Sequence, residues 1–244
     1  TSLATSAASA TSPPTVEWSQ TYHRIQYEWA RSVQQTSDGG YILAGRTQDD
    51  AWLVKTSSTG GMQWSQTYGG TGSEVANSVQ QTSDDGYIMA GFTDSYGAGG
   101  SDFWLVKASS TGGMQWSQTY GGASGDSAKS ARQTRDGGYI MAGGTSSFGA
   151  GGYDAWVVKT NSTGLMEWSQ TYGGPGSDGA NSVQQTKDDG YIIAGSININ
   201  WFDFWLIKLE GSKDTDGDGL LDSWEKNGID YNNDGITDLD LKAL

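Results

Sequence analysis

Cysteine is absent from this sequence, which excludes thiolate nucleophiles, zinc–thiolate sites and thiol redox chemistry. The absence is neutral on compartment, because a secreted chain need not carry disulfides. Histidine occurs once, at His23, so no Ser-His-Asp arrangement is available elsewhere in the chain. Lys and Arg number only 14 against 28 Asp and Glu. The resulting net charge of -14 argues against nucleic acid as a partner, since affinity for phosphate backbones comes from clustered basic side chains. No apolar run approaches the roughly 18 residues that span a bilayer, and no basic amphipathic helix is visible, so no membrane insertion is expected. The chain opens on Thr1 rather than Met, which points to a processed chain whose signal peptide has gone, and so to a secreted, extracellular or cell-surface protein. Residues 1–15, rich in Ser, Thr and Ala, read as a linker or an O-glycosylated tail, and Asn161-Ser162-Thr163 is an N-glycosylation sequon.

What is abundant is Gly, Trp and Tyr, arranged in a repeat. The phrase Trp-Ser-Gln-Thr-Tyr begins at Trp18, Trp64, Trp116 and Trp168, at spacings of 46, 52 and 52 residues. A period of this size decides the fold class. Four short strands fit each period: Ser78 to Thr82, a tight Asp84-Asp85-Gly86 turn, Tyr87 to Thr93, Asp102 to Ala108, and Met114 to Tyr120. The Asp-Gly pair supplies the positive φ that a hairpin needs. The third strand is nearly all apolar, as a strand covered on both faces must be. The fourth alternates Met114, Trp116, Gln118 and Tyr120 with polar residues, the pattern of a half-exposed edge.

This strand order resembles the WD-repeat blade, although the WD dipeptide itself is absent, and it is more closely similar to the Trp- and Gly-rich tandem β-propeller repeats of secreted bacterial and archaeal proteins. The resemblance covers residues 16 to 209 and implies geometry only: an all-β, four-bladed β-propeller over residues 16–211. The chain opens with an outer strand, Val16 to Tyr22, and its last repeat stops after a third strand, Asp203 to Leu209. Each strand type therefore occurs four times. Ring closure by pairing the first strand with the last blade is expected, because it removes two sheet edges. An open arc or a fragment of a larger ring is the competing arrangement.

Residues 212–244 are a separate acidic segment. Asp214, Asp216, Asp218, Gly219, Leu220, Asp222 and Glu225 match the twelve-residue EF-hand loop at every ligand position. Carboxylates at alternate positions, a Gly at the sharp turn, the Leu220 carbonyl and a closing Glu deliver the hard oxygens that Ca2+ requires. A second loop offers Asp230, Asn232, Asp234, the Ile236 carbonyl, Asp238 and, one residue early, Asp240, with Leu241 where the closing Glu belongs. No strong amphipathic helix precedes Asp214, so the pair resembles thrombospondin type-3 or dockerin-like calcium repeats, which implies a structural clamp. In similar proteins such loops lead into a further domain, so Leu244 need not be the natural end.

Outside that segment the acidic residues mostly recur with the repeat. Asp38, Asp84, Asp136 and Asp188 fall in hairpins, and Asp50, Asp102, Asp154 and Asp203 precede third strands. Residues repeated in every blade read as scaffold, so no enzyme is expected; a glycosidase would need two carboxylates about 5 to 9.5 Å apart in a cleft. A protein partner or self-assembly is expected, with a glycan-binding lectin as the alternative. Where the repeat is broken, at Asn198 to Phe202 and at His23 to Trp29, the aromatics Tyr27, Trp29, Trp201 and Phe202 are expected to converge on one seam of the closed ring. The combined expectation is an extracellular, calcium-binding structural or adhesion protein that self-assembles into a filament or surface array.

Overall fold

A computed structural model describes residues 13–24 and 27–211; the calcium loops and most of the N-terminal tail lie outside the described residues. The described chain is all-β, with 15 strands in four antiparallel sheets and no helix. Sheet 1 holds β1 (Glu28–Gln35), β2 (Tyr41–Thr47), β3 (Asp50–Thr56) and β4 (Met62–Tyr68). Sheet 2 holds β5 (Glu74–Gln81), β6 (Tyr87–Thr93), β7 (Asp102–Ala108) and β8 (Met114–Tyr120). Sheet 3 holds β9 (Asp126–Gln133), β10 (Tyr139–Thr145), β11 (Asp154–Thr160) and β12 (Met166–Tyr172). Sheet 4 has three strands, β13 (Gly179–Gln185), β14 (Tyr191–Asn198) and β15 (Phe202–Leu209). Every strand pairs with its neighbour in sequence, without crossovers.

In the second repeat the three later strands fall where the sequence pattern places them, whereas the first runs Glu74–Gln81 rather than Ser78 to Thr82, and the third strand of the last repeat starts at Phe202 rather than Asp203. The early start includes a bulge: Ala76 pairs with Gly91 and Ser78 with Ala90, leaving Asn77 extra. In the hairpin turn the positive φ falls on Asp85 (60°), the equivalent of Gly39 (81°) in sheet 1. The last turn residue is glycine for a different reason. A Cβ on Gly86 would lie 2.5 Å from the Ala108 carbonyl oxygen.

The sheets pack face to face in chain order, and each seam is a separate apolar core. Ile88, Ala90, Phe103, Leu105 and Tyr120 on the trailing face of sheet 2 meet Ala128, Ala131, Tyr139, Met141, Trp156 and Val158 on the leading face of sheet 3. The same positions build the seams between sheets 1 and 2 and between sheets 3 and 4. First strands β1, β5, β9 and β13 lie side by side in one inner row. The backbone N–H of Val79 donates to Ser32 Oγ (3.2 Å), that of Ala131 to Ser78 Oγ (3.3 Å) and that of Val183 to Ser130 Oγ (3.4 Å).

Among the described residues the expected ring closure is absent: Val16 to Tyr22 forms no strand, β15 pairs with β14 alone, and no core like those of the three seams joins sheet 4 to sheet 1. The segment instead lies on sheet 1, where the outer strand of a preceding sheet would stand. Tyr22 Oη donates to the Gly60 carbonyl (2.7 Å) and Trp18 packs on Tyr41 with ring centroids 5.7 Å apart. Tyr68 Oη makes the same bond to Gly112 (2.6 Å), and Trp64 the same contact with Tyr87 (5.6 Å), across the next seam. The physical reason is that a strand needs a ladder partner, and the segment's recorded contacts are side-chain contacts with sheet 1 rather than main-chain pairs with β15.

Candidate functional site

Two sets of repeated carboxylates have distinct structural roles. In the hairpin set, each Asp accepts from the lysine of the third strand: Lys55 Nζ to Asp38 (2.7 Å), Lys107 Nζ to Asp84 (2.9 Å), Lys159 Nζ to Asp136 (2.8 Å) and Lys208 Nζ to Asp188 (2.8 Å). The first three lysines are buried, so the aspartate neutralises a cation held among apolar side chains. A hydroxyl two residues upstream adds a bond, as Thr82 Oγ1 does to Asp84 (2.5 Å). Burial pushes the Asp84 carboxyl up, but the bonds from Thr82, Lys107 and the Gly86 N–H outweigh it and hold the pKa at about 2. In Asp38 the bond from Lys55, followed by that from Thr36, holds it far below the ordinary range.

The second set meets in pairs across the seams, which sequence reasoning missed. A methyl on Gly121 would lie 1.9 Å from Asp102 Oδ1 and 2.7 Å from Asp126 Oδ2, so the two carboxylates converge on one point. Asp50 with Glu74, at Gly69, and Asp154 with Asp178, at Gly173, repeat the arrangement. One oxygen of each pair member ties down a loop: Asp102 Oδ2 accepts from the Ala98 N–H (3.0 Å), and Asp126 Oδ2 from the Gly122 N–H (2.9 Å) and Ser147 Oγ (2.8 Å). Asp102 Oδ1 and Asp126 Oδ1 are buried without a hydrogen-bond partner. Burial, with the charge of Asp126 added, raises the Asp102 pKa against the lowering effect of the Ala98 N–H. Asp50 is raised in the same way, by burial and then by Glu74. The signal available in sequence was the constant spacing of the pair, Asp50/Glu74, Asp102/Asp126 and Asp154/Asp178.

These two sets titrate in opposite senses. The lowered Asp84 contributes stability above its unfolded pKa of 3.8, and loses it as pH falls through about 2. The raised Asp102 contributes stability below 3.8 and loses it as pH rises through its folded value. Asp102→Asn is therefore expected to raise Tm at pH 7 by about 2–4 °C, the equivalent of about 1 kcal/mol, with the gain vanishing toward pH 4. Asp84→Asn is expected to lower stability at pH 7 by about 1 kcal/mol, a loss kept small by the half-exposed position of the carboxylate. Thermal melts across pH 3 to 8 check both; a loss from Asp102→Asn at neutral pH would show that Asp126 is not a repulsive neighbour.

The aromatic residues expected at one seam fall into two groups. Tyr27 and Trp29 stack on each other at 6.2 Å with 18° between their planes, and the Arg46 guanidinium lies 5.4 Å above Trp29. Trp201 and Phe202 are exposed at the start of β15. No ring contact joins the two groups among the described residues, where no apolar seam links sheets 1 and 4. By contrast, the aromatics of the Gly-rich loops are spoken for locally: Tyr96 packs on Trp104 and Phe148 on Trp156, each in its own sheet. Asn161 Oδ1 accepts from Thr163 N–H (2.9 Å), Thr163 Oγ1 (2.8 Å) and Leu165 N–H (3.0 Å), closing the turn between β11 and β12 as Ser57 Oγ does for Gly61 N–H (3.0 Å) in sheet 1. No group of three or more acidic or histidine side chains suited to a metal occurs among the described residues, and Asp214 through Asp240 lie outside them.

No protein-family model matches the chain, and no curated protein matches it.

Proposed function

We propose that this chain is a non-enzymatic, extracellular structural or adhesion protein, with its four sheets forming the blades of a propeller-type arc and residues 212–244 forming a calcium-binding clamp. The observation that carries the reading is the use made of the recurring carboxylates. Asp38, Asp84, Asp136 and Asp188 hold lysines, and the seam pairs hold loops, so the acidic repeat is accounted for as scaffold. The acidic spacing from Asp214 to Glu225 supports Ca2+ as the ion, with the loop from Asp230 to Asp240 as a second, weaker site.

Calcium removal is expected to separate the two parts. Chelation is expected to leave the sheets folded, because they are held by apolar seams and lysine–aspartate pairs, while residues 212–244 lose protection from protease as unscreened carboxylates repel one another. Titration calorimetry, far-ultraviolet dichroism and limited proteolysis with and without Ca2+ check this. An absence of Ca2+ binding would remove the clamp from the proposal. The stacked, exposed Tyr27–Trp29 pair under Arg46 favours a second reading, a glycan-binding face, since sugars dock on such aromatic platforms. Loss of glycan binding on Trp29→Ala would move the function to that class.

A further inference from the structure

Three seams inside the chain define what the two end sheets lack. On the trailing face of sheet 2, Phe103 and Leu105 are fully buried; their equivalents on sheet 4, Phe204 and Leu206, are 106% and 70% exposed. On the leading face of sheet 2, Val79 is 4% exposed; its equivalent on sheet 1, Val33, is 65% exposed. Among the described residues sheet 4 has no outer strand, and sheet 1 carries an outer-strand sequence, Val16 to Tyr22, seated as if it belonged to a sheet before it. Between that segment and β1–β2 lies a cleft of about 270 Å³, walled by Tyr22, Ala30, Leu43 and Trp52. In the internal seam the corresponding space is filled by Phe103, whose ring sits 4.7 Å from that of Trp156.

We infer that a second copy of this chain completes both ends: Phe204 and Leu206 of one copy dock on Val33, Leu43 and Trp52 of the next, whose residues 16–22 add to β15 as its fourth strand. The inference rests on the structural reading proposed above and takes up the self-assembly that the sequence leads one to expect, by naming its surface. The internal β7–β8 ladder fixes the register. Phe103 pairs with Tyr120, Leu105 with Gln118 and Lys107 with Trp116, so Phe204 pairs with Tyr22, Leu206 with Gln20 and Lys208 with Trp18 of the next copy. Phe204 then stacks on Trp52 as Phe103 does on Trp156. Ser182, equivalent to Ser130, receives the Val33 N–H of the next copy and continues the inner row. The sources of affinity are those of strand addition: main-chain bonds along an open edge and side chains that fill matched pockets. Because the two faces differ, the contact is head-to-tail, and it propagates as a filament unless rotation closes it into a ring.

The chain is tested whole, with and without Ca2+, by sedimentation across a concentration series. Wild type is expected to assemble. Phe204→Asp and Val33→Asp each place a charge at a position exposed in the single copy, so the fold, checked by dichroism, is retained while self-association weakens at least about thirtyfold, a hot-spot-sized loss. Mixing them is the decisive arm. Phe204→Asp keeps a sound leading face and Val33→Asp a sound trailing face, so the mixture forms one-to-one dimers that grow no further. A Gln20→Cys chain mixed with a Leu206→Cys chain is expected to form a disulfide-linked dimer, with no native cysteine to confuse it. A disulfide that forms only within a doubly substituted single chain would overturn the inference in favour of self-closure. Assembly undiminished in both charged variants would overturn this interface while leaving the assembly reading standing. A wild-type monomer at every concentration would overturn both.

Discussion

Phe103→Ala is expected to lower the stability of this chain by about 3–5 kcal/mol, whereas Phe204→Ala, the same change at the equivalent position one hundred and one residues on, is expected to alter the unassembled chain by less than about 0.5 kcal/mol. The chemistry of the two deletions is identical; the surroundings are not. Phe103 has no exposed surface and packs on Trp156 in the seam between sheets 2 and 3, so its removal leaves a cavity flanked by Ala128, Met141 and Val158. Phe204 sits on a face that none of the described residues covers. Denaturant melts at low protein concentration measure both. Equal losses would mean that sheet 4 is covered within a single chain, and the assignment of a free trailing face would fall with it.

Gly91→Ala is the second change with a large expected effect, a loss on the order of 3 kcal/mol. The glycine is required by space rather than by backbone conformation. A Cβ there would lie 1.7 Å from the Val75 carbonyl oxygen, which the Asn77 bulge pushes across the pair. Gly45, Gly143 and Gly195 meet the same obstacle, at 1.8, 2.1 and 2.0 Å, so the requirement is built into every sheet. Gly39 provides the contrast. It has φ of 81° with nothing within 4 Å of an added Cβ, so Gly39→Ala meets only the left-handed backbone cost of about 1–2 kcal/mol. Asp85 and Asp189 already occupy that place with φ of 60°. A Gly91→Ala chain no less stable than Gly39→Ala would show that the bulge relaxes freely.

In the second repeat the second, third and outer strands were readable to the residue, because Tyr87–Thr93, Asp102–Ala108 and Met114–Tyr120 carry their own hydrophobic pattern and turn residues. Glu74 to Asn77 did not read as strand, since a bulge interrupts the alternation on which such a reading rests. Contacts between repeats were the harder part. That Asp102 faces Asp126 follows from how two sheets abut, and nothing local to either residue reports it. Val16 to Tyr22 shows the limit most clearly. Its residues are those of an outer strand, and Trp18 and Tyr22 make an outer strand's side-chain contacts, yet among the described residues it has no ladder. Counting strands says how many partners are needed and is silent on which molecule supplies them.

The neighbour-to-neighbour pairing of every strand also shapes how the molecule comes apart. Among the described residues no crossover ties the first sheet to the last, so their stability is a sum of four sheet contributions and three seam contributions, as in a one-dimensional array. Sheets 2 and 3 are held on both sides, whereas sheets 1 and 4 each give up one seam. Opening therefore runs inward from the ends, with β13–β15 the first unit to loosen because it also lacks a fourth strand, and folding is free to begin in either middle sheet and spread outward.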